Sequence, residues 1–512
     1  MRQVLATLIL VLALSASDAP AQQRDPAFEE GARSVSARMD RGREAREIGE
    51  RAAEAHEAGD FEEASALFAE QAELEPNNFV PAFNLACSLA LAGDLEQAEA
   101  ALRRSVELGF SSLSTLKRDP DLEPLRGRDL YTQLVGHWPR ILDARRQPAI
   151  ESAKRWMGRP PNVVGLDELR VDLISGHRER ATEAAAAMIE RVAAWTEDAL
   201  IPDLTVAEAQ RRDAWVTVIL PEDRDFTKWL VWTFGPGAAR HGITTIGGAY
   251  EHDRKRLVAR DLGATLRHEV FHVFHWRDME RRGQRHPIWI QEGLASLVED
   301  MDPVGSGGRW KPVASWRTNI VKRLAERSIL TDLQTLTGLD QRTFSSRRPL
   351  RLYAEARGVF LFLMERGLLR DWYETYTNDP AHGYAADASG LTAIEDVFGA
   401  DIEGFHDAMT AWAADELPMV VEELDDLDVT LGLEIHAAED GAPRIKDLTW
   451  EARRESDLRM GDVITSINGR PIHEVQELVR VLGGMEAGAR ATVAYRRGTL
   501  GGETSIGVKE AR

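Results

Sequence analysis

The rhythm of apolar and polar positions changes twice along this chain, which divides it into three regions. In the first, AGDFEEASALFAEQAEL at 58–74 is answered by AGDLEQAEAALRRSVEL at 92–108. Ala58, Gly59, Asp60, Ala64 and Leu74 recur as Ala92, Gly93, Asp94, Ala98 and Leu108, at an offset of 34 each time. Small residues recur where two helices must approach closely, and Asp60 and Asp94 are placed to cap the second helix of each pair. Glu63 and Gln97 stand three residues further on, the spacing of a capping box. From about 150 to 420 the pattern is mixed. ESAKRWM and RERATEAAAAMIERVAAW predict helices, while AWVTVIL at 214–220 alternates and is β-branched, which predicts a strand. TTIGGAY and RLVAR, separated by EHDRK, predict a hairpin; DLGATLRHEVFHVFHW predicts a helix, and Ile288 to Leu417 reads as largely helical. From Asp428 onward short strands return: LGLEI, then LRMGDVITSINGRPI, a helix VQELVRVLGG and a strand ATVAYRRG. The expected fold class is multi-domain: an α-helical repeat domain over 45–137, an α+β domain over 150–420 and a small β domain over 428–512.

At 512 residues the chain is too long for one core. Apolar residues make up 43% and charged residues 29%, ordinary for a globular protein. A net charge of −21, with no basic stripe, excludes a nucleic-acid partner from expectation. The start, MRQVLATLILVLALSASDAPAQQ, has a basic residue, an apolar run from Val4 to Leu14 and small residues at Ala19 and Ala21. That is the pattern of a secretory signal peptide over 1–21. The run is too short to span a bilayer, and no later segment is long and apolar enough. No membrane span is expected after cleavage, and the chain is expected to be exported, periplasmic or secreted. The single cysteine, Cys87, cannot form an internal disulfide and sits in a helical pattern as a packing residue.

The 34-residue period resembles the tetratricopeptide repeat, with DPDLEPLRGRDLYTQL at 119–134 as a degenerate closing repeat. Such a scaffold is either a protein-docking groove or a spacer. The last region resembles a bacterial PDZ domain, carried by Gly461-Asp462 entering a buried strand and Asn468-Gly469 at a tight turn. Where such domains usually carry Ala-Gly-Leu before the Gly-Asp turn, this chain has Ser456, Asp457 and Leu458. The resemblance implies that backbone N–H groups around Leu431, Gly432 and Leu433 cradle a peptide carboxylate.

The chemistry is concentrated in LRHEVFHVFHW at 266–276. His268 and His272 stand at i and i+4 of a predicted helix with Glu269 after the first, the pattern H-E-x-x-H that presents two imidazoles to one metal ion and a glutamate to its bound water. His275 shares the face but lies about 10 Å along the axis from His268, which makes it a core or supporting residue rather than a third ligand. The metzincin pattern needs a turn glycine and a third histidine, where this chain has His275 and Asp278. Glu292, in HPIWIQEGLASLVED, follows His272 by 20 residues on the next amphipathic helix, from which a helix–loop–helix can bring a carboxylate over both histidines.

H-E-x-x-H followed by W-x-x-E-G-L-A resembles the gluzincin (peptidase MA-like) zinc metallopeptidases over about 200–420. The resemblance implies a zincin-like domain with one Zn2+ per chain held by His268, His272 and Glu292, and Glu269 as general base. It further implies Tyr353 as a donor to the developing oxyanion and IGGAY as a strand along the cleft. One departure is Ser296, four residues after Glu292, where thermolysin-like relatives carry an aspartate that orients a zinc histidine. The expected function is an exported zinc metallopeptidase acting on peptides or proteins, with repeat and PDZ modules for partners or substrate termini. The alternative is a non-catalytic interaction platform on the same fold.

Overall fold

The computed structural model describes residues 44–511 except 77, 158–159, 203, 205–215, 222, 235–247, 252–254, 261, 305–308, 347–348, 439–441 and 499. The expected signal peptide lies outside them.

The first region is a pair of helical hairpins, α1 (44–58) with α2 (Phe61–Leu74) and α3 (Phe79–Ala92) with α4 (Leu95–Leu108). Each turn is made by a glycine with left-handed φ, 84° at Gly59 and 89° at Gly93. Asp60 and Asp94 cap as expected, each Oδ1 accepting from the N–H three residues on at 3.2 Å. The reach-back of a capping box is not needed, because the N–H groups of Asp60 and Asp94 already donate to Ala55 and Leu89 carbonyls at 2.9 and 3.0 Å. The stretch expected as a closing repeat is different in kind. Pro120 and Pro124 leave a 3-10 turn over Pro120–Leu125, and a single long helix, α5 (Asp129–Trp156), follows. This helix runs through both position 137 and position 150, so it joins the first two regions as a shared strut. Its first half buries Trp138 and Leu142 among the repeats, and its second half buries Ile150 and Ala153 on the sheet of the next region.

That sheet has five strands in the order β1 (Asn162–Leu166), β2 (Val171–Ser175), β3 (Val216–Leu220), β5 (Arg256–Ala259) and β4 (Gly248–Glu251). The β2–β3 and β3–β5 pairs are parallel, and the outer pairs are antiparallel. Side-chain alternation sends Leu173, Val218 and Leu257 to one face and Ile174, Ile219 and Val258 to the other. The second face is covered by α5 and α7 (Asp223–Phe234); the first by α6 (Glu179–Ala199) and α8 (Ala264–Arg282). The hairpin expected from TTIGGAY and RLVAR is β4–β5. The pattern did not reveal β1 or β2, because β2 carries the buried Asp172, which is neutralised by a two-pronged bond from Arg146 at 2.7 and 2.8 Å. After α8 come α9 (Ile288–Leu297), α10 (Trp316–Ala325), α11 (Pro349–Glu365), α12 (Leu369–Asn378) and α13 (Ile402–Asp415). A hairpin of β6 (Met301–Val304) and β7 (Arg309–Pro312) interrupts this helical half.

In the last region β8 (Val429–Thr430) pairs with β15 (Lys509–Glu510), and β14 (Leu500–Gly507), β13 (Arg490–Arg497), β11 (Val463–Ile467), β10 (Pro443–Leu448) and β9 (Leu433–Ala437) form one sheet in that order, with β12 (Arg470–Pro471) paired to β11. Asn468 and Gly469, at φ 51° and 76°, make the turn between β11 and β12. The helix α14 (Val475–Gly483) lies against residues 298–302 of the middle region, where Arg480 bonds Asp300 at 2.5 Å and Arg470 pairs with Asp302. No helix among the described residues is long and apolar enough to cross a membrane.

Candidate metal centre

The two histidines leave α8 on one face because i and i+4 lie above one another. Gly283, at φ 72°, closes that helix by donating its N–H to the Glu280 and Met279 carbonyls, and the chain turns back into α9. Close packing then sets the depth of α9. A Cβ on Gly293 would stand 2.7 Å from the Phe360 ring and 2.9 Å from the Ala356 carbonyl oxygen, so only glycine lets α9 approach α11 this closely. Trp289 stacks on Phe360 with centroids 5.0 Å apart, one turn earlier on the same side. The residue before Gly293 is Glu292, which is thereby brought over the histidines.

Three donor atoms meet there. Nε2 of His268 lies 3.0 Å from Nε2 of His272 and 3.1 Å from Oε2 of Glu292, and the third edge, His272 to Glu292, is 3.6 Å. A tetrahedral ion holding N and O donors at about 2.0–2.1 Å separates them by about 3.3 Å, so this triangle has the dimensions of one face of such a site. The donor set, two imidazoles and a carboxylate, suits zinc chemically. His275 and Asp278 do not join the group. The His275 ring is buried against His286, Nε2 to Nδ1 at 2.8 Å, and burial first, then His286, keep its pKa well below the ordinary range. Asp278 is enclosed by Arg281, Arg282 and the Tyr373 hydroxyl.

The electrostatics favour a cation. Burial disfavours the His268 imidazolium, yet hydrogen bonds to Glu292 and Glu299 outweigh it and raise its pKa to about 10. Burial raises Glu292, but the His272 charge and the hydrogen bond from His268 bring it below its ordinary range. Glu269, beside His268, is raised by burial, with the two histidines opposing that and Glu292 and Glu299 adding to it. Tyr353 on α11 faces the same place. Burial first, then the Glu292 charge, holds its hydroxyl protonated. The β4 strand, which carries the end of IGGAY, packs on α8 and is the last strand in the described sheet order.

Sequence reasoning named no carboxylate to replace the aspartate missing at Ser296. Here Glu299 fills the role, with Oε1 2.8 Å from His268 Nδ1 and Oε2 accepting from Arg317 Nε at 2.6 Å. It lies two residues past the end of α9, off the i+4 register of Glu292 that Ser296 occupies. The available signal was the acidic pair Glu299-Asp300 closing HPIWIQEGLASLVED.

Two further groups of residues lie outside this centre. At Leu431–Leu433, Gly432 has φ 70°, but its N–H already donates to the Thr430 hydroxyl at 2.9 Å, and its carbonyl accepts from Thr449 N–H at 2.8 Å. One of the three N–H groups expected to cradle a carboxylate is therefore engaged. Cys87, Asp119 and Asp121 also come within ligand distance of one another. Asp121 accepts from His56 at 3.0 Å, Asp119 caps the Asp121 N–H, and burial holds the Cys87 thiol protonated, so this cluster is accounted for as packing and capping.

Residues 431–508 match the family model of the PDZ domain, a module that binds peptides or proteins. No curated protein matches the chain. Among solved structures, an aminopeptidase N family protein from Idiomarina loihiensis aligns at 12% identity over 68% of this chain and 67% of that one, with a TM-score of 0.25.

Proposed function

We propose that this chain is a zinc-dependent metallopeptidase in which His268, His272 and Glu292 hold one zinc ion. The observation that carries the reading is the triangle of donor atoms, with edges of 3.0, 3.1 and 3.6 Å, beside the half-buried Glu269. When bound, zinc supplies an acidified water and polarises the scissile carbonyl. Glu269 would serve as general base and then acid, taking a proton from the attacking water and passing it to the leaving amine. The Tyr353 hydroxyl, kept protonated, donates to the oxygen on which negative charge develops. Glu299 holds the His268 ring by its far nitrogen, and the outer strand β4 offers backbone groups to an extended peptide. In this reading the helical hairpins are tetratricopeptide-like and tether partners, the PDZ domain takes a chain terminus, and the protein is exported after loss of residues 1–21.

A second reading rests on the PDZ match itself: the same fold serves as a platform without catalysis. Zinc content of the purified full chain, measured beside cleavage of an unstructured polypeptide, separates the two. Stoichiometric zinc with cleavage that stops on Glu269→Gln supports the enzyme. Stoichiometric zinc with no cleavage of any polypeptide tried favours the platform.

A further inference from the structure

The residue immediately before the first histidine is a buried arginine. Arg267 is 0% exposed, and a guanidinium at that depth is costly unless it is both paired and fully hydrogen-bonded. Its Nε donates to the carbonyl oxygens of Val298 and Glu299 at 2.9 and 3.0 Å. Its terminal nitrogens reach Glu477 Oε1 at 2.7 Å and Glu474 Oε1 at 3.3 Å. Both carboxylates come from the PDZ region, Glu477 from α14 itself, more than 200 residues along the chain. The next residue after Glu299 is held from the same helix, Asp300 by Arg480 at 2.5 Å. The carbonyls of Val298 and Glu299 are thus held by Arg267, which the PDZ carboxylates hold in turn, and the side chain of Asp300 is held by α14 directly, while the Glu299 side chain bonds His268 Nδ1 at 2.8 Å.

We propose that Glu477 of the PDZ helix is a positioning residue for the metal centre: through Arg267 it fixes the 298–299 backbone and so holds Glu299 against His268. The PDZ domain is then a structural part of the metal site, not an adaptor on a tether. The inference rests on the zinc reading above. Glu477 also accepts from the His473 N–H at 2.6 Å. A glutamine there offers one carbonyl oxygen in place of a charged carboxylate, so it cannot serve His473 and Arg267 equally.

The test is zinc affinity of the full chain by chelator competition, with cobalt substitution as a spectroscopic reading of the donor geometry. Glu477→Gln should weaken zinc by on the order of 5–10-fold and alter the cobalt spectrum. Combined with Glu299→Gln, it should add little further loss, because both act on one ring. Arg470→Ala, which removes the part-exposed contact to Asp302, should leave affinity within about twofold, since such a pair is worth little and Arg480 still faces Asp302 at 3.7 Å. Should Glu477→Gln fail to fold, Glu474→Gln, whose partner is the same guanidinium, should show a smaller loss of the same kind. The proposal is overturned if the folded Glu477→Gln or Glu474→Gln chain binds zinc as wild type does. It is equally overturned if the Glu477→Gln loss is fully additive with Glu299→Gln, or if Arg470→Ala weakens zinc as much. A wild-type chain that binds no zinc overturns the metal reading instead, which is a distinct result.

Discussion

Glu299 Oε1 stands 2.8 Å from Nδ1 of His268, on the side of the ring away from Glu292. A carboxylate there fixes both the orientation of the ring and which nitrogen faces the metal, and it makes the imidazole a stronger donor. Loss of such a partner typically costs 10–100-fold in metal affinity. Glu299→Gln should therefore lower zinc affinity by at least about 10-fold while the chain stays folded, as chelator competition and thermal unfolding together would show.

Glu269 and Glu292 should separate by readout. Glu292→Gln replaces an anionic donor by a neutral amide and should weaken zinc binding. Glu269→Gln should retain zinc and unfold at the wild-type temperature, yet lose peptide cleavage by roughly 100-fold or more, the usual worth of a general base. His275→Ala should leave zinc occupancy unchanged, because its ring is turned to His286.

Gly293→Ala tests whether helix packing places the ligand. The added methyl meets the Phe360 ring and the Ala356 carbonyl inside contact distance. It should cost about 1–3 kcal/mol of stability as an overpacked contact. It should also weaken zinc, since Glu292 moves with the displaced helix. Wild-type zinc affinity in the folded variant would falsify this account of the site.

Acid should destabilise the chain through His286. Burial first, then Arg282, lower its pKa to about 3. The unfolded chain takes up the proton near pH 6.5, about the free-imidazole value. Between those limits the unfolded state binds more protons, so stability falls as pH falls. Melting temperatures of His286→Gln should decline less steeply over that range than those of wild type.

The Gly432 N–H is engaged by Thr430, so that hydroxyl competes with any peptide carboxylate for it. A peptide with a free C-terminus should bind more tightly than its amide, and Thr430→Val should widen the difference. Equal binding of acid and amide by both proteins, in calorimetric titration, means the loop holds no carboxylate.

What the sequence determined by itself was local and periodic. The i, i+4 spacing alone puts His268 and His272 on one face, the Asp60 and Asp94 caps mark their helix starts, and Asn468-Gly469 sets its own turn. Each depends on backbone geometry within a few residues, which residue type largely fixes. The tertiary structure decided the rest. Glu299 becomes a partner of His268 only once α9 is packed on α11 through Gly293. The buried Asp172 reads as a break in a strand until Arg146 is beside it. The contact of Glu477 with Arg267 joins charges 210 residues apart, and nothing in the spacing of either marks the other. Periodicity shows which face of an element is buried, but not which surface will cover it; that is settled by the packing of whole elements, where a buried charge is tolerated only if its partner arrives from elsewhere in the chain.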